Sequence, residues 1–99
     1  MLKELVRIKL EENYNIYRYG KDKNINPFAL ATTSASIINR ISKNEPITNI
    51  LQELILKVLD DERTLRTATT QNEKDVFISS KSLNLCIIDG LHKAIESAL

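Results

Sequence analysis

The clearest amphipathic pattern in the chain lies in residues 46–60, PITNILQELILKVLD. Large aliphatic side chains recur there at spacings of three and four, which is typical of one wide apolar helical face. Pro46 suits the first helical position, where its missing N–H would have no partner in any case. The segment therefore predicts a helix whose apolar face consists of Ile47, Ile50, Leu51, Leu54, Ile55, Val58 and Leu59.

The acidic run after this segment leaves the end of the helix open to two interpretations. Asp60, Asp61 and Glu62 would lie unfavourably at a helix C-terminus, where the helix dipole disfavours negative charge. Either the helix continues to about Thr69 and Glu62 pairs with Arg66, or Asp61 caps a new short helix. Continuation of the helix is the favoured interpretation.

Residues 27–42, PFALATTSASIINRIS, predict a second helix. Asn26 suits the N-cap position and Pro27 the first helical position. Many of the side chains between the larger aliphatic ones are small, so another backbone can come close to this helix. We therefore expect it to be central and tightly packed.

The C-terminal segment 81–98 also carries an apolar helical face. Gly90 lies inside it and costs about 1 kcal/mol relative to alanine, which indicates a site of close packing. Before this segment, Thr70 and Glu73 have the spacing of a capping box. Residues 71–80 therefore predict a short element of their own, in which the apolar tripeptide VFI must be buried.

The N-terminal segment supports two structures. Residues 2–18 contain an apolar row with helical spacing, and Gly20 suits the position after a helix end. The alternation in VRIKL would instead suit a strand, so a hairpin over 5–19 is the alternative. With the helical interpretation, the sequence predicts an all-α domain over residues 1–99: a bundle of four main helices, with a fifth short helix as an option.

Composition narrows the class of protein. A chain of 99 residues with 42% hydrophobic and 27% charged residues suits one folded domain. Two glycines and two prolines suit helices better than hairpins and exclude a glycine-rich phosphate loop. The net charge of +1 produces no strong electrostatic attraction to nucleic acid. We find neither a signal peptide nor a stretch of roughly 20 apolar residues, and a lone cysteine suits a cytoplasmic protein.

Reactive groups are sparse. Cys86 and His92 are the only cysteine and histidine, and their side chains would point about 240° apart on one helix. Two such residues cannot complete a four-ligand zinc site. We expect Cys86 to be buried, and His92, between Asp89 and Glu96, to lie on a solvated helix face, with a pH-linked role as the alternative. The sequence thus predicts no catalytic, cofactor or metal site and a protein that is not an enzyme.

The most distinctive surface is the aromatic and basic segment YNIYRYGKDK, residues 14–23, which we call the tyrosine tract. Tyrosine and arginine are favoured anchors of protein interfaces, and the same residue types stack on nucleic acid and neutralise it. The plain alternative is a helix end whose tyrosines cover the core. The candidate partner-binding residues are Tyr14, Tyr17, Arg18, Tyr19, Lys21 and Lys23.

The apolar faces are wider than four short helices can cover, because 27–42 and 81–98 are apolar on more than one side. A two-fold dimer would cover the surplus, so we expect a homodimer. The spacing of 27–42 and 46–60 also suits a helix-turn-helix motif over 27–60. Its recognition helix would expose one base, Lys57, beside an acid, which is a poor surface for phosphate.

The tract NYNIYRYGKDKNIN and the abundance of Ile, Asn, Lys and Leu resemble small orphan proteins of AT-rich prokaryotic viruses and mobile elements, including filamentous viruses of archaea. This resemblance covers composition along the chain and no functional residue. It implies a binding role in the host cytoplasm. The leading hypothesis is a small protein that binds itself and another protein; the alternative is a DNA-binding regulator.

Overall fold

A computed structural model of the chain describes residues 2–99, which contain four α-helices and no strand. The helices are α1 (Leu2–Tyr17), α2 (Pro27–Ser42), α3 (Ile47–Thr67) and α4 (Gln71–Ala98). This confirms the all-α class and the four main helices. The alternative hairpin over 5–19 is wrong, because α1 occupies nearly all of that stretch.

Two of the predicted helix starts are capped as expected. The Asn26 side chain accepts hydrogen bonds from the backbone N–H groups of Phe28, at 2.8 Å, and Ala29, at 3.2 Å. The Thr70 hydroxyl accepts one from the N–H of Glu73 at 3.2 Å. Each cap satisfies N–H groups that have no partner inside the helix.

The segment 71–80 corrects two predictions. It is not a fifth short helix, because it continues without a break into α4. The cap at Thr70 therefore marks the start of one helix of 28 residues. No proline occurs in this stretch, and Gly90 is tolerated inside the helix. The predicted burial of the tripeptide VFI is also wrong, because Val76 is 62% exposed and Phe77 and Ile78 are only half-buried.

Helix α3 confirms the continuous interpretation of the acidic run. It extends through Asp61 to Thr67, so Asp61 does not cap a new helix. At the other end of α3, Pro46 lies at the N-cap and not at the first helical position. Both ends of α3 therefore lie within a few residues of their predicted places.

The central helix is α4, which packs against α1, α2 and α3. The prediction that residues 27–42 would be central is therefore wrong. At 28 residues, α4 is about 42 Å long and can contact every other helix, whereas α2 is little more than half that length. The outer side of α2 is open to solvent, since Phe28 and Thr32 are exposed.

One core runs through the bundle. It combines residues of all four helices with Ile25 from the loop before α2. Each fully buried aliphatic side chain contributes about 1.5–3 kcal/mol relative to an exposed one. The buried members are Val6, Leu10, Ile25, Leu30, Ile37, Ile41, Ile50, Leu54, Cys86, Ile87, Leu91 and Ala94.

Helix α1 approaches α4 most closely at Gly90. A Cβ atom at this position would lie 2.7 Å from Cδ2 of Leu10 and 3.3 Å from Nδ2 of Asn13. Leu10 is fully buried and has little free space into which to move. The absence of a side chain at Gly90 is therefore what allows α1 to lie against the backbone of α4, as the sequence predicted.

We expect Gly90→Ala to lower the free energy of unfolding by about 1 kcal/mol, because overpacking outweighs the better helix propensity of alanine. Urea unfolding followed by circular dichroism measures the change. In a Leu10→Ala background the same substitution should stabilise the protein, because the space is then open. An equal loss in both backgrounds would contradict a clash with Leu10.

Candidate functional site

The structure divides the tyrosine tract into two parts. Tyr14 and Tyr17 are half-buried and pack against the core from the last turns of α1. Tyr19, in the loop that follows, is 79% exposed, and the guanidinium of Arg18 lies 4.4 Å from the centre of its ring. The ammonium group of Lys21 lies 5.3 Å from the centre of the Tyr17 ring. The outer part of the tract is thus Arg18 and Tyr19, together with Lys21 and Lys23, which are also exposed.

A shallow cavity lies where this tract meets α4. Its volume of about 180 Å³ is below the roughly 300–1,000 Å³ of typical small-molecule sites. It is too small to enclose a drug-sized ligand. The lining residues are Tyr17, Asp22, Ile25, Ser82, Leu85, Cys86 and Asp89.

Cys86 is buried, as predicted. The pKa of its thiol is raised to about 11, chiefly by burial and also by the nearby carboxylates of Asp89 and Asp22, while Lys93 lowers it. A thiol with this pKa is almost entirely protonated at neutral pH and is a poor nucleophile. His92 is exposed, and its Nε2 atom lies 3.3 Å from a carboxylate oxygen of Glu96, so it is on a solvated face as expected.

We expect the Cys86 thiol to react with a disulfide reagent far more slowly in the folded protein than in the unfolded one. At about pH 8 an ordinary cysteine is partly ionised, whereas the pKa of Cys86 is about 11. Absorbance of the released thiolate in buffer and in denaturant measures the two rates. Equal rates would show that the thiol is accessible and ionised in the folded protein.

A buried amide ties α1 to α4. The Asn13 side chain donates to the backbone carbonyl of Cys86 at 3.1 Å and to the Asp89 carboxylate at 3.2 Å. Its oxygen accepts from the Lys93 ammonium group at 3.3 Å, and Lys93 lies 2.9 Å from Asp89. The hydrogen bond from Lys93 lowers the pKa of Asp89, and the one from Asn13 adds to the effect. An amide in the middle of an apolar row was the only sequence signal for this network.

We expect the wild type to lose more stability in acid than Asp89→Asn. The ionised carboxylate is the stabilised form, so its contribution is present above the pKa of an ordinary aspartate and is lost as the pH falls through the lowered pKa of folded Asp89. Urea unfolding of both proteins between about pH 5 and about pH 2 measures the difference. Parallel pH profiles would show that the network contributes nothing through ionisation.

The acidic run 60–62 holds α3 on α4. The carboxylate of Asp61 is buried and accepts a hydrogen bond from the Ser80 hydroxyl at 2.7 Å. Glu62 lies 3.2 Å from the ammonium group of Lys81. Across residues 2–99, no group of three or more His, Cys, Asp or Glu side chains could hold a metal ion. The run is thus used for helix packing.

Two rows of partly exposed aliphatic side chains lie side by side on α3 and α4. Leu59 is three residues before Glu62 and Leu85 four residues after Lys81, so the Glu62–Lys81 contact brings the two rows together. Ile55, Leu59 and Leu85 are 46%, 50% and 44% exposed. Half-buried aliphatic residues lie between them and the core. We call this surface the α3–α4 face; its apolar members are Leu51, Ile55, Leu59, Leu85 and Ile88.

The shape of the protein agrees with incomplete coverage of this face. The accessible surface is 6290 Å², against roughly 5,700 Å² for a compact monomer of this mass. The principal extents are 45 × 28 × 21 Å. A protein of this elongated shape exposes more surface than a compact one of the same mass.

One cation of residues 27–60, Arg40, lies in an internal network of ion pairs. The Arg40 guanidinium donates to Glu45 at 2.6 and 2.7 Å and to Glu53 at 2.6 Å. These hydrogen bonds raise the pKa of Arg40, and the one with Glu45 has the largest effect. Arg40 thus closes the turn between α2 and α3, so the geometry does not favour the helix-turn-helix alternative.

Within residues 2–99, no helix combines the length and the apolar character needed to cross a membrane. No protein family, curated protein or solved structure matches the chain. The placement and chemistry of its own side chains are therefore the basis for assigning a role.

Proposed function

We propose that this protein acts by protein–protein contact and not by catalysis, and that the α3–α4 face makes the contact. The observation that carries the proposal is the exposure of Ile55, Leu59 and Leu85 side by side on two helices. Contiguous exposed apolar surface on a small protein commonly marks an interaction site. Covering the exposed half of each side chain would contribute about 1 kcal/mol.

The surroundings of the face support this proposal. Charged pairs lie beyond its apolar centre, Glu62 with Lys81 towards the hairpin tip and His92 with Glu96 towards the C-terminus. An apolar centre with a polar rim is the usual anatomy of a protein interface. The rim keeps the free protein soluble while the centre supplies the affinity.

The tyrosine tract is the edge of the same surface. Leu85 belongs to the α3–α4 face and also lines the cavity beside Tyr17. A partner that covers Leu85 would therefore lie close to Tyr17, which directly precedes the exposed Arg18 and Tyr19. The candidate residues of the tract stay part of the proposal as peripheral contacts, with Tyr14 and Tyr17 supporting the surface from beneath.

The proposal of a non-enzymatic role is supported by the small cavity and by the protonated thiol of Cys86. The composition supports origin in a virus or mobile element of a prokaryote, where a small binding protein would act in the host cytoplasm. A DNA-binding regulator remains the alternative. Its surface is a poor one for phosphate, because Arg40 is held by Glu45 and Glu53, and Lys57 lies one turn after the carboxylate of Glu53.

We expect Leu59→Asp to abolish association of the folded protein with its partner, because the contact would bury a carboxylate in place of an apolar side chain. Asn49→Asp is the matched control, since it adds the same charge at another exposed position of α3. Cross-linking in cell extracts, read by gel and mass spectrometry, scores self-linked and mixed products for each protein. Circular dichroism checks that both variants are folded.

The expected pattern is that the wild type and Asn49→Asp give the same specific product and Leu59→Asp gives none. A product of equal yield from all three proteins would show that the contact lies elsewhere and would overturn the proposal.

A further inference from the structure

We infer that the partner of the α3–α4 face is a second copy of this chain, packed across a two-fold axis perpendicular to α4 near Ile88. This inference rests on the proposed function, which makes the face a contact surface. It adds the identity of the partner and the orientation in which it binds.

The first argument is the order of side chains along α4. One side of this helix presents a cation at one end and a carboxylate at the other, with two aliphatic side chains and one histidine between them. The spacings of four, three, four and four keep the row on one side of the helix. The row is Lys81, Leu85, Ile88, His92 and Glu96.

The charged ends of this row are complementary when the row is reversed, and Leu85 then lies opposite His92. Lys81 and Glu96 each lie about 11 Å from a point between Ile88 and Asp89. A two-fold axis at that point makes the two α4 helices antiparallel and sets Lys81 of one copy opposite Glu96 of the other. Symmetry repeats the pair, so one dimer contains it twice.

The α3 row has the same symmetry. Ile55 lies seven residues before Glu62 on α3, and Ile88 lies seven residues after Lys81 on α4. Because Glu62 and Lys81 are in contact and the two helices are antiparallel, Ile55 and Ile88 lie at the same level. Leu51 and Leu59 lie four residues on either side of Ile55. The axis that pairs Lys81 with Glu96 thus sets Leu51 of one copy opposite Leu59 of the other.

The size and charge of the face suit a second copy. The 21 residues of α3 are about 31 Å long, and two helices are about 20 Å wide, so the face covers about 600 Å². The dimer would thus bury about 1,200 Å² in total, the lower end of the roughly 1,200–2,000 Å² that stable interfaces bury. Two cations, Arg66 and Lys81, balance two carboxylates, Glu62 and Glu96, so neither a strongly acidic nor a strongly basic partner is favoured.

Charge reversal tests the two-fold arrangement. Lys81→Glu and Glu96→Lys each place like charges opposite one another at both ends of the interface. We expect each variant alone to self-associate about tenfold more weakly than the wild type. Lys57→Glu is the matched control, because it reverses a lysine on α3 outside the face. Sedimentation equilibrium gives the dissociation constants.

Mixing the two variants is the decisive measurement. A dimer of one Lys81→Glu chain and one Glu96→Lys chain has opposite charges at both ends. It should therefore form at concentrations where each variant alone is monomeric. Native mass spectrometry with one chain labelled with ¹⁵N distinguishes this mixed dimer from the two homodimers. Because each chain keeps its own substitution, a folding defect in either variant would reduce the mixed dimer rather than produce it.

Three outcomes would overturn the inference. If the wild type stays monomeric at about millimolar concentration, where even a weak dimer would be populated, the partner is not a second copy. The proposed function still stands in that case if Leu59→Asp loses a cross-linked product that contains a different protein. A dimer that both charge reversals leave unchanged rules out the Lys81–Glu96 pairs. Two weakened variants that show no preference for the mixed dimer rule out the antiparallel orientation.

Discussion

The close approach of α1 to α4 at Gly90 determines the rest of the arrangement. Because Gly90 has no side chain, Leu10 lies against the backbone of α4, and Asn13 reaches the carbonyl of Cys86. These contacts fix α1 on the C-terminal part of α4. Since α1 has 16 residues and α4 has 28, the N-terminal part of α4 extends beyond α1 and is covered by α3. The partly uncovered apolar surface lies along the longer α3–α4 hairpin.

Local sequence signals predicted the helices, because caps and periodicity act over a few residues. The bounds of α2 agree with 27–42, and Thr70 caps a helix as its spacing with Glu73 indicated. What could not be predicted depends on neighbours distant in sequence. The first turns of α4 lie outside the core, so that Val76 is exposed, and the sequence alone does not distinguish such an extension from a separate short helix. The small side chains of α2 likewise indicated close packing but not which helix is central.

The candidate site shows the same division between local and distant information. The burial of Cys86 and the exposure of His92 follow from their places in one helical pattern, and the structure agrees. The tyrosine tract contains a helix end and a loop, so similar residues have different exposure, as Tyr17 and Tyr19 do. The exposed part of the apolar face of α3 could not be located from sequence, because all its aliphatic residues share the same periodicity. Only the position of α4 decides that Ile55 and Leu59 remain half exposed.

Polar contacts between α3 and α4 give the exposed face its symmetry. Apolar contacts alone tolerate a shift of one helix along the other, because one aliphatic side chain can replace another at little cost in packing. The buried Asp61 carboxylate does not tolerate such a shift, since moving away from the Ser80 hydroxyl would leave it without a hydrogen bond. The Glu62–Lys81 pair lies next to it and acts in the same direction. A shift of one helical turn would move Ile55 away from the level of Ile88, and the apolar rows of the two helices would no longer share one centre.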